Sequence, residues 1–314
     1  SLTSCRCFAK LRGMKLLFMV APTVGDEVRA ALRAALQDLS SSGRADCEVC
    51  AITPEASIPE KVRERMREGV DGVVAVGGDG TVSAVAHALI DTQVPLGIVP
   101  AGTGNLVARE LGIPLDIRAA VTLAAGPHAL RAIDAMLIND RTYLLNAGVG
   151  VNAAVIDRTS RLGKSLFGRT AYVGTAVWKV LQAKPQRLTV IIDGDARSYD
   201  ATDVLISNCG TLARVLHPNC PEIRADDGQV DVCIICMKVA IEYPWYYFLR
   251  SLFPRHVNRI IHELPAGRSV SICSEKPMAV QADGDIIGAT PVTVTVRPKA
   301  LPVIVPAPES ARST

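Results

Sequence analysis

The feature that most constrains the fold is a regular alternation of apolar runs and helical patterns over the first 125 residues. Apolar runs at Lys15–Ala21, Cys47–Ile52, Gly72–Val76 and Leu96–Val99 are each followed by a segment with helical spacing. The predicted helices are Asp26–Leu39, Pro59–Gly69, Thr81–Ile90, Asn105–Leu111 and Ile117–Ala125. Alternation at this spacing is typical of βαβ units. We therefore predict an N-terminal parallel α/β domain.

From about Ala129 the pattern changes to strand-like pieces separated by turns. Asn139-Asp140 and Asp193-Gly194-Asp195 have the composition of hairpin turns. The predicted strands are Ala132–Ile138, Arg141–Asn146, Arg187–Ile192, Thr202–Asn208, Gln229–Met237, Ser269–Cys273, Met278–Ala282, Pro291–Val296 and Ala300–Val305. Helical patterns appear only at Gly168–Leu181 and from about Tyr243 to Arg250. The pattern favours a C-terminal antiparallel, β-sandwich-like domain.

Composition and charge narrow the functional classes. Of 314 residues, 49% are hydrophobic, which supports a packed core, and the formal net charge of +3 argues against a nucleic-acid partner. No apolar run approaches the roughly 18–20 residues of a membrane span. Nine cysteines, dispersed through apolar segments, favour free thiols and a cytoplasmic location. Cys47/Cys50 and Cys233/Cys236 have the C-x-x-C spacing of zinc ligands. Buried thiols are the preferred interpretation of these pairs, and a zinc site is the alternative.

Two glycine-rich turns stand where apolar strands meet helices. The first is Gly77-Gly78-Asp79-Gly80-Thr81, and the second is Gly102-Thr103-Gly104-Asn105. Both lie at the carboxyl ends of parallel strands, where open α/β sheets bind ligands. Glycine lets a ligand approach the backbone, and the N–H groups at a helix start suit phosphate. The turns therefore predict phosphate binding, with tight structural turns as the alternative and with Thr81 and Asn105 as candidate N-caps.

The phosphate site is not of a common nucleotide-binding type. Neither turn fits G-x-G-x-x-G, because Ser83 and Val107 stand at the last glycine position, and no G-x-x-x-x-G-K-[ST] occurs. Asp79 would repel phosphate unless it holds Mg²⁺ or a water ligand of Mg²⁺.

The order of these motifs resembles the diacylglycerol kinase catalytic family. GGDGT is followed by Pro100–Arg109, which reads P-x-G-T-G-N-x-x-A-R. The resemblance continues at four later segments, namely Leu145–Gly150, Ala225–Val232, Ala282–Asp285 and Pro298–Pro306. It is specific to the soluble bacterial-type lipid kinases, a group related to sphingosine kinases and, more distantly, to NAD kinases. The resemblance spans about Met14 to Pro306.

The resemblance implies an ATP- and Mg²⁺-dependent lipid kinase and assigns roles to matching positions. The implied nucleotide-binding residues are Thr53, Gly77, Gly78, Asp79, Gly80, Thr81, Val82, Ser83, Gly102, Thr103, Gly104 and Asn105. Asp227 would ligate a structural Mg²⁺ together with main-chain oxygens of Arg224 and Gln229. The last segment would cross back onto the first domain. We thus expect a nucleotide-binding domain at 14–128 with a return segment at about 297–306, a lipid-substrate domain at 129–296, and extensions at 1–13 and 307–314.

Two positions depart from the family pattern. Ala21 stands where the family usually has Asn at the end of its first strand, which affects one nucleotide contact. Asp285 stands where the family has the Glu that is its implied general base, so the carboxylate is one methylene shorter. We expect Asp285 to be the base and Asp283 to be the next candidate, since general-base action requires hydrogen-bond reach to the substrate hydroxyl. Taken alone, Asp283-Gly284-Asp285 is typical of a hairpin turn. No arginine or lysine is assigned as a clamp on the transferred phosphate; Arg109 is close to the second turn but is also typical of a helix surface.

The acceptor side is expected to be a lipid alcohol, such as diacylglycerol, in a cleft between the domains. The segment Tyr243–Phe253 concentrates aromatic residues beside basic ones, which suits peripheral contact with a membrane, although packing of a helix onto the sheet is the alternative. Leu162–Arg169 is a weaker candidate for the same role. A homodimer is possible. The alternative functions are an NAD kinase-like enzyme and a catalytically weak protein that binds lipid or nucleotide, with Asp285 as the lesion.

Overall fold

The computed structural model describes residues 13–43, 45–53, 57–150, 184–210, 223–236 and 261–307. Part of the predicted C-terminal domain lies outside them, including both of its predicted helices, Gly168–Leu181 and the one from about Tyr243 to Arg250.

The N-terminal half is a parallel sheet with helices on both faces. Its elements are β1 (Met14–Val20), α1 (Asp26–Ser41), β2 (Ala45–Ala51), α2 (Ile58–Arg67), β3 (Gly72–Gly77), α3 (Asp79–Leu89), β4 (Leu96–Pro100), α4 (Leu106–Glu110) and α5 (Ile117–Ala125). The strands lie in the order β2-β1-β3-β4 and pair in parallel. Every residue of β3 and β4 is buried, as expected for central parallel strands covered on both faces.

The helices divide between the two faces of this sheet. Apolar residues of α1 and α5, such as Leu32 and Val121, pack with Phe18 on one face. Apolar residues of α2 and α3, such as Val62 and Val85, pack with Leu17 and Val73 on the other. Because successive side chains of a strand point to opposite faces, the continuous apolar runs of β1 and β3 supply both cores.

The C-terminal half is antiparallel. Its strands are β5 (Ala129–Ile138), β6 (Arg141–Tyr143), β7 (Asn146–Gly150), β8 (Gln186–Ile192), β9 (Asp195–Ala201), β10 (Asp203–Ser207), β11 (Val230–Ile235), β12 (Ile261–Gly267), β13 (Ser269–Ser274), β14 (Ala279–Ala282), β15 (Asp285–Ala289) and β16 (Val292–Val305). One sheet has the order β12-β11-β10-β7-β14-β15. The other is a continuation of the parallel sheet through β16, β13, β8 and β9, with β5 also paired to β16. Side chains of both sheets, such as Val149 and Val270, share one core.

The long strand β16 joins the two halves. Its first part pairs antiparallel with β13, and Val303 pairs in parallel with Leu96 of β4. The pairing of β16 with β5 is irregular between Arg297 and Leu301, where Lys299 has a φ of 50°. The sequence predicts two strands here, Pro291–Val296 and Ala300–Val305, whereas the structure has one strand with a local irregularity.

The predicted fold class, a parallel α/β half followed by an antiparallel β half, is confirmed. The predicted domain boundaries stay predictions, because the large sheet runs through both halves without a break at β16. Among the described residues, β9, β12 and β15 have no counterpart in the predicted strands, and the predicted strand Arg141–Asn146 is divided between β6 and β7.

Candidate active site

The two glycine-rich turns lie against each other at the carboxyl ends of β3 and β4. The N–H of Ala101 donates to the carbonyl of Gly77 at 2.9 Å. A Cβ on Gly102 would lie 2.5 Å from the Cα of Gly78, which is closer than real Cβ atoms approach backbone. The close approach therefore requires glycine at position 102, and it brings both turns to one edge of the sheet.

The second turn is held by the side chain of Asn105. Its amide accepts from the N–H of Gly102 at 2.9 Å and donates to the carbonyl of Gly102 at 2.8 Å. Asn105 itself has a φ of 50° and stands at the N-cap of α4 without a side-chain bond to that helix. Asn105 is therefore the N-cap residue of α4, as predicted, but its side chain holds the turn and makes no capping bond to the helix. Arg109 donates from Nε to the carbonyl of Gly104 at 3.1 Å, so it stabilises the turn from outside.

Asp79 connects the two turns. One carboxylate oxygen of Asp79 accepts from the N–H of Val107 at 3.1 Å, so the first turn caps the helix that follows the second. The helix α3 begins at Asp79 with Gly78 at its N-cap, so Thr81 lies inside the first turn of the helix and the prediction of Thr81 as N-cap is wrong. Asp79 thus has a structural bond that the sequence did not indicate, beside the metal role proposed for it.

The predicted nucleotide-binding residues differ in their exposure to solvent. Gly80, Gly102, Thr103 and Gly104 are exposed. Val82 is 2% exposed and packs in the core, and its N–H donates to the carbonyl of Gly78 at 3.1 Å. Val82 therefore has neither its side chain nor its N–H free for a ligand, which corrects its assignment as a contact. Thr53 is exposed just past the end of β2, at the same edge of the sheet.

The turn Asp283-Gly284 joins β14 to β15, as its composition indicates. Both residues have positive φ, 48° and 92°, which matches a type I′ hairpin. The carboxylate of Asp283 points inward and accepts four hydrogen bonds. The donors are the hydroxyl of Ser83 at 2.6 Å and the N–H groups of Leu144, Leu145 and Asn146 at 2.8, 2.9 and 3.1 Å.

The two carboxylates of the hairpin have different surroundings. Burial raises the pKa of the Asp283 carboxyl, and its four hydrogen bonds act in the opposite direction. Asp285 begins β15 and is exposed. Within the described part of the chain, the carboxylate of Asp285 forms no hydrogen bond or ion pair, so it is available to a ligand. Asp283 is committed to holding the hairpin against α3, which makes it the poorer candidate for a base.

A cleft of about 1010 Å³ opens between α2, α3, β6 and the β14–β15 hairpin. Four residues of α3 line it with a spacing of three and four positions, namely Gly80, Ser83, Ala84 and His87. They share one face of the helix, which runs from the first glycine turn along the cleft. Asp283 and Asp285 line it from the hairpin. The cleft therefore brings the predicted base and the start of α3 into one space.

The cleft also contains Arg63, His87 and Arg141, which the sequence did not indicate as site residues. The Nδ1 of His87 lies 3.2 Å from the hydroxyl oxygen of buried Thr142. Burial, and after it the charges of Arg63 and Arg141, lower the pKa of His87, so its ring is neutral near pH 7. The spacing of His87 from Gly80 on α3 is a signal that could have placed it in the cleft. The two arginines come from distant segments, and nothing local points to them.

The predicted Mg²⁺ ligands lie in a tight turn before β11. Asp227 is exposed, and one of its carboxylate oxygens accepts from the N–H of Gln229 at 3.0 Å. Fully buried Asp134 accepts from the N–H groups of Gly228 at 2.6 Å and Lys299 at 2.7 Å, which fixes the turn against β16. No cluster of three or more His, Cys, Asp or Glu side chains occurs in the described ranges. The proposed set is instead one carboxylate with main-chain oxygens, a hard donor set that suits Mg²⁺.

The two segments considered for membrane contact, Tyr243–Phe253 and Leu162–Arg169, lie outside the described residues. In the portion of the chain that the structure describes, no helix is both long enough and apolar enough to cross a bilayer.

The fold and the paired turns define the class of the protein, and comparison with known families agrees. Residues 15–138 match the family model of the diacylglycerol kinase catalytic domain. Residues 146–305 match the model of the YegS C-terminal NAD kinase beta sandwich-like domain. The chain belongs to the diacylglycerol kinase family of lipid kinases, which are phosphotransferases with an alcohol group as acceptor. The resemblance stated from the motifs is confirmed.

Individual proteins and one solved structure are also similar to this chain. An uncharacterised protein of Synechocystis sp. is 31% identical over 77% of this chain and 57% of its own length. The diacylglycerol kinase of Mycobacterium tuberculosis is 29% identical over 76% of this chain and 78% of its own. The chain thus spans just over half of the first relative. A crystal structure of a diacylglycerol kinase from Bacillus anthracis has the same fold, with a TM-score of 0.68 at 19% identity over 93% of this chain and 96% of that chain.

Proposed function

We propose that the protein transfers the γ-phosphoryl group of ATP, in the presence of Mg²⁺, to a hydroxyl of diacylglycerol or a related membrane lipid. The observation that supports it best is the position of Asp285, whose free carboxylate lines the same cleft as Gly80 at the start of α3. A base and a phosphate-binding helix start in one space are the minimum that phosphoryl transfer to an alcohol needs.

The glycine turns would hold the nucleotide phosphates. The N–H groups of Asp79 and Gly80 begin α3 and precede its hydrogen-bond ladder, whereas the N–H of Thr81 donates to the carbonyl of Gly78 at 2.9 Å. The first two N–H groups carry the positive end of the helix dipole. A Cβ on Gly80 would meet nothing within 4 Å, so there is open space beside the backbone for a ligand. Exposed Thr103 and Gly104 would contact the nucleotide from the second turn, and Thr53 would do so from the end of β2. Mg²⁺ bound with the phosphates would neutralise part of their charge.

Asp285 would act as the general base. Its carboxylate takes the proton from the lipid hydroxyl as the hydroxyl oxygen attacks phosphorus. The side chain is about 1.5 Å shorter than that of the family glutamate, so the acceptor hydroxyl must lie closer to β15 or reach the carboxylate through one water. Asp283 holds the hairpin in place through Ser83 of α3, which keeps the base at a fixed distance from the first glycine turn.

A lipid acceptor implies that the enzyme works at a membrane surface, and we propose a cytoplasmic protein with peripheral membrane contact. The structural Mg²⁺ would be held by Asp227 and by main-chain oxygens of Arg224 and Gln229. This ion would fix the turn before β11.

An NAD kinase-like activity is the second candidate. Its support is the family model of the second half, which describes an NAD kinase beta sandwich-like domain. The second glycine turn, Pro100–Asn105, favours the lipid acceptor. A protein that binds nucleotide or lipid without turnover is the third candidate, because of the shortened carboxylate at position 285.

A radiolabelled ATP transfer assay separates these candidates. The acceptors are diacylglycerol, phosphatidylglycerol, a sphingoid base and NAD, each with Mg²⁺ and with excess EDTA. We expect label in a lipid, lost with EDTA. Label in NAD alone would support the second candidate. Nucleotide binding with no transfer to any acceptor would contradict the proposed activity and support the third.

A further inference from the structure

Two arginines of the cleft lie near His87, which is close to the end of α3 farthest from the first glycine turn. Arg63 lines it from α2, and Arg141 lines it from β6. Both side chains are exposed. Among the described residues neither arginine forms an ion pair, and Glu60, which also lines the cleft one turn earlier on α2, is beyond ion-pair distance of Arg63. Two guanidinium groups without carboxylate partners in one cleft are suited to bind an anion from solution.

The position of the arginines argues that this anion is not the transferred phosphate. His87 stands close enough to both guanidinium groups for their charges to lower its pKa. It lies seven residues after Gly80 on the same face of α3, about 10 Å along the helix axis. The transferred phosphate would be held at the Gly80 end. The charge around His87 therefore faces the acceptor rather than the nucleotide.

The same cleft has an apolar side. Ile58 of α2 and Ile286 and Ile287 of β15 line it, and all three are partly exposed. Arg141 also hydrogen-bonds Tyr143, and among the described residues neither arginine has a carboxylate partner. A cleft with a carboxylate, an apolar side and two such arginines matches a lipid whose head group carries both a hydroxyl and a phosphate.

We propose that Arg63 and Arg141 form an anion subsite that selects lipid acceptors with a phosphate in the head group over neutral diacylglycerol. This inference rests on the proposed function and names the acceptor class of that function. The arginines would bind the head-group phosphate by charge-assisted hydrogen bonds. The hydroxyl of the same head group would then lie toward Asp285 and Gly80.

The test measures kcat/KM for phosphatidylglycerol and for diacylglycerol in the same nonionic mixed micelles. The wild type is compared with Arg63→Gln, Arg141→Gln and the double variant. Arg33→Gln is the matched control, because Arg33 is an exposed arginine on α1, on the other face of the sheet. We expect the ratio of kcat/KM for phosphatidylglycerol to kcat/KM for diacylglycerol to fall about tenfold or more in each cleft variant. The KM for ATP should stay within about twofold of the wild-type value. Arg33→Gln should change neither quantity.

A second measurement needs no turnover. Binding of short-chain phosphatidylglycerol without ATP would place a negative charge beside His87 and raise its pKa. NMR titration of the five histidines, with His87 assigned through His87→Gln, should show this rise in the wild type and not in the double variant.

The outcomes separate the two proposals. An unchanged lipid ratio in the cleft variants, or a KM for ATP that rises as much as the ratio falls, would overturn the anion subsite and leave the lipid kinase intact. Transfer to neither lipid would overturn the proposed function. In that case the His87 titration decides the subsite, and an unshifted His87 would overturn it.

Discussion

Gly102 controls how closely the two glycine-rich turns approach each other. A Cβ there would lie 2.5 Å from the Cα of Gly78, a backbone atom that cannot move aside alone. We expect Gly102→Ala to push the turns apart and to lower the free energy of unfolding by about 1–3 kcal/mol. Urea denaturation would measure the loss, and binding of a fluorescent ATP analogue should weaken with it.

Gly80→Ala is the variant to compare with Gly102→Ala, because it adds the same methyl group to the first glycine turn. A Cβ at Gly80 would meet nothing within 4 Å, and alanine favours a helix over glycine by about 0.5–1 kcal/mol. Stability should therefore hold or rise while nucleotide affinity falls, because the methyl group would occupy the space proposed for phosphate. Full nucleotide affinity in Gly80→Ala would argue against phosphate binding at this turn.

His87 predicts a pH dependence of stability. Its folded-state pKa lies below the ordinary value of about 6.5, through burial and then through Arg63 and Arg141. The folded state therefore binds fewer protons than the unfolded state, and this contribution to stability is lost as the pH falls through 6.5 toward the folded pKa. Urea midpoints at pH 5.5 and 7.5 should differ more in the wild type than in His87→Gln. Equal differences would contradict the shift.

At the scale of elements, the bond between α3 and the β14–β15 hairpin connects the first glycine turn to the hairpin that carries Asp285, the proposed base. Ser83 donates to Asp283 across 200 residues of sequence. We expect Ser83→Ala to lower kcat more than it raises the KM for ATP, because the hairpin that carries Asp285 would lose its contact with α3. Ser83→Thr keeps the hydroxyl and should restore kcat. A purely structural bond would lower stability in Ser83→Ala and leave kcat per folded molecule unchanged.

The sequence predicted the helices and strands of the first half well, because apolar periodicity reports burial directly. It failed for β9, whose residues DARSYDA are mostly exposed and show no apolar alternation. It failed for β15 because Asp285–Ala289 begins with a charged residue and contains Gly288. In β16 the residues Arg297–Lys299 predict the end of a strand. The strand is continuous because β16 pairs with β5 both before and after the irregularity between Arg297 and Leu301.

At the scale of the whole molecule, β16 makes one sheet of both halves. Leu301 is fully buried in β16 and packs in the core of the first half. We expect Leu301→Ala to lower the free energy of unfolding by about 2–5 kcal/mol. Tryptophan fluorescence and far-UV circular dichroism should report one coincident urea transition, before and after the change.

Val49→Ala is the control for this prediction. Val49 lies on the edge strand β2 and is 52% exposed, so its truncation should change stability by no more than about 0.5 kcal/mol. Two separate transitions in the wild type, with only one of them shifted by Leu301→Ala, would show that the halves unfold independently.

The site was predictable only as far as its residues lie in local motifs. The glycine turns and Asp285 each stand in a short, recognisable stretch. Arg63 and Arg141 reach the cleft through the packing of α2 and β6 against α3, and Asp134 reaches the turn before β11 through β5. Asp134 meets Gly228 and Lys299 across 94 and 165 positions of sequence, and no periodicity or spacing predicts such contacts.

Asp285 is the residue on which the proposed chemistry depends. The most direct measurement is kcat for lipid phosphorylation in the wild type, Asp285→Asn and Asp285→Glu, with nucleotide binding measured in parallel. Asparagine cannot accept the proton, so we predict that kcat falls by about 10²–10⁴-fold with unchanged ATP binding. Glutamate keeps the carboxylate and should retain activity. Full activity in Asp285→Asn would contradict Asp285 as the base.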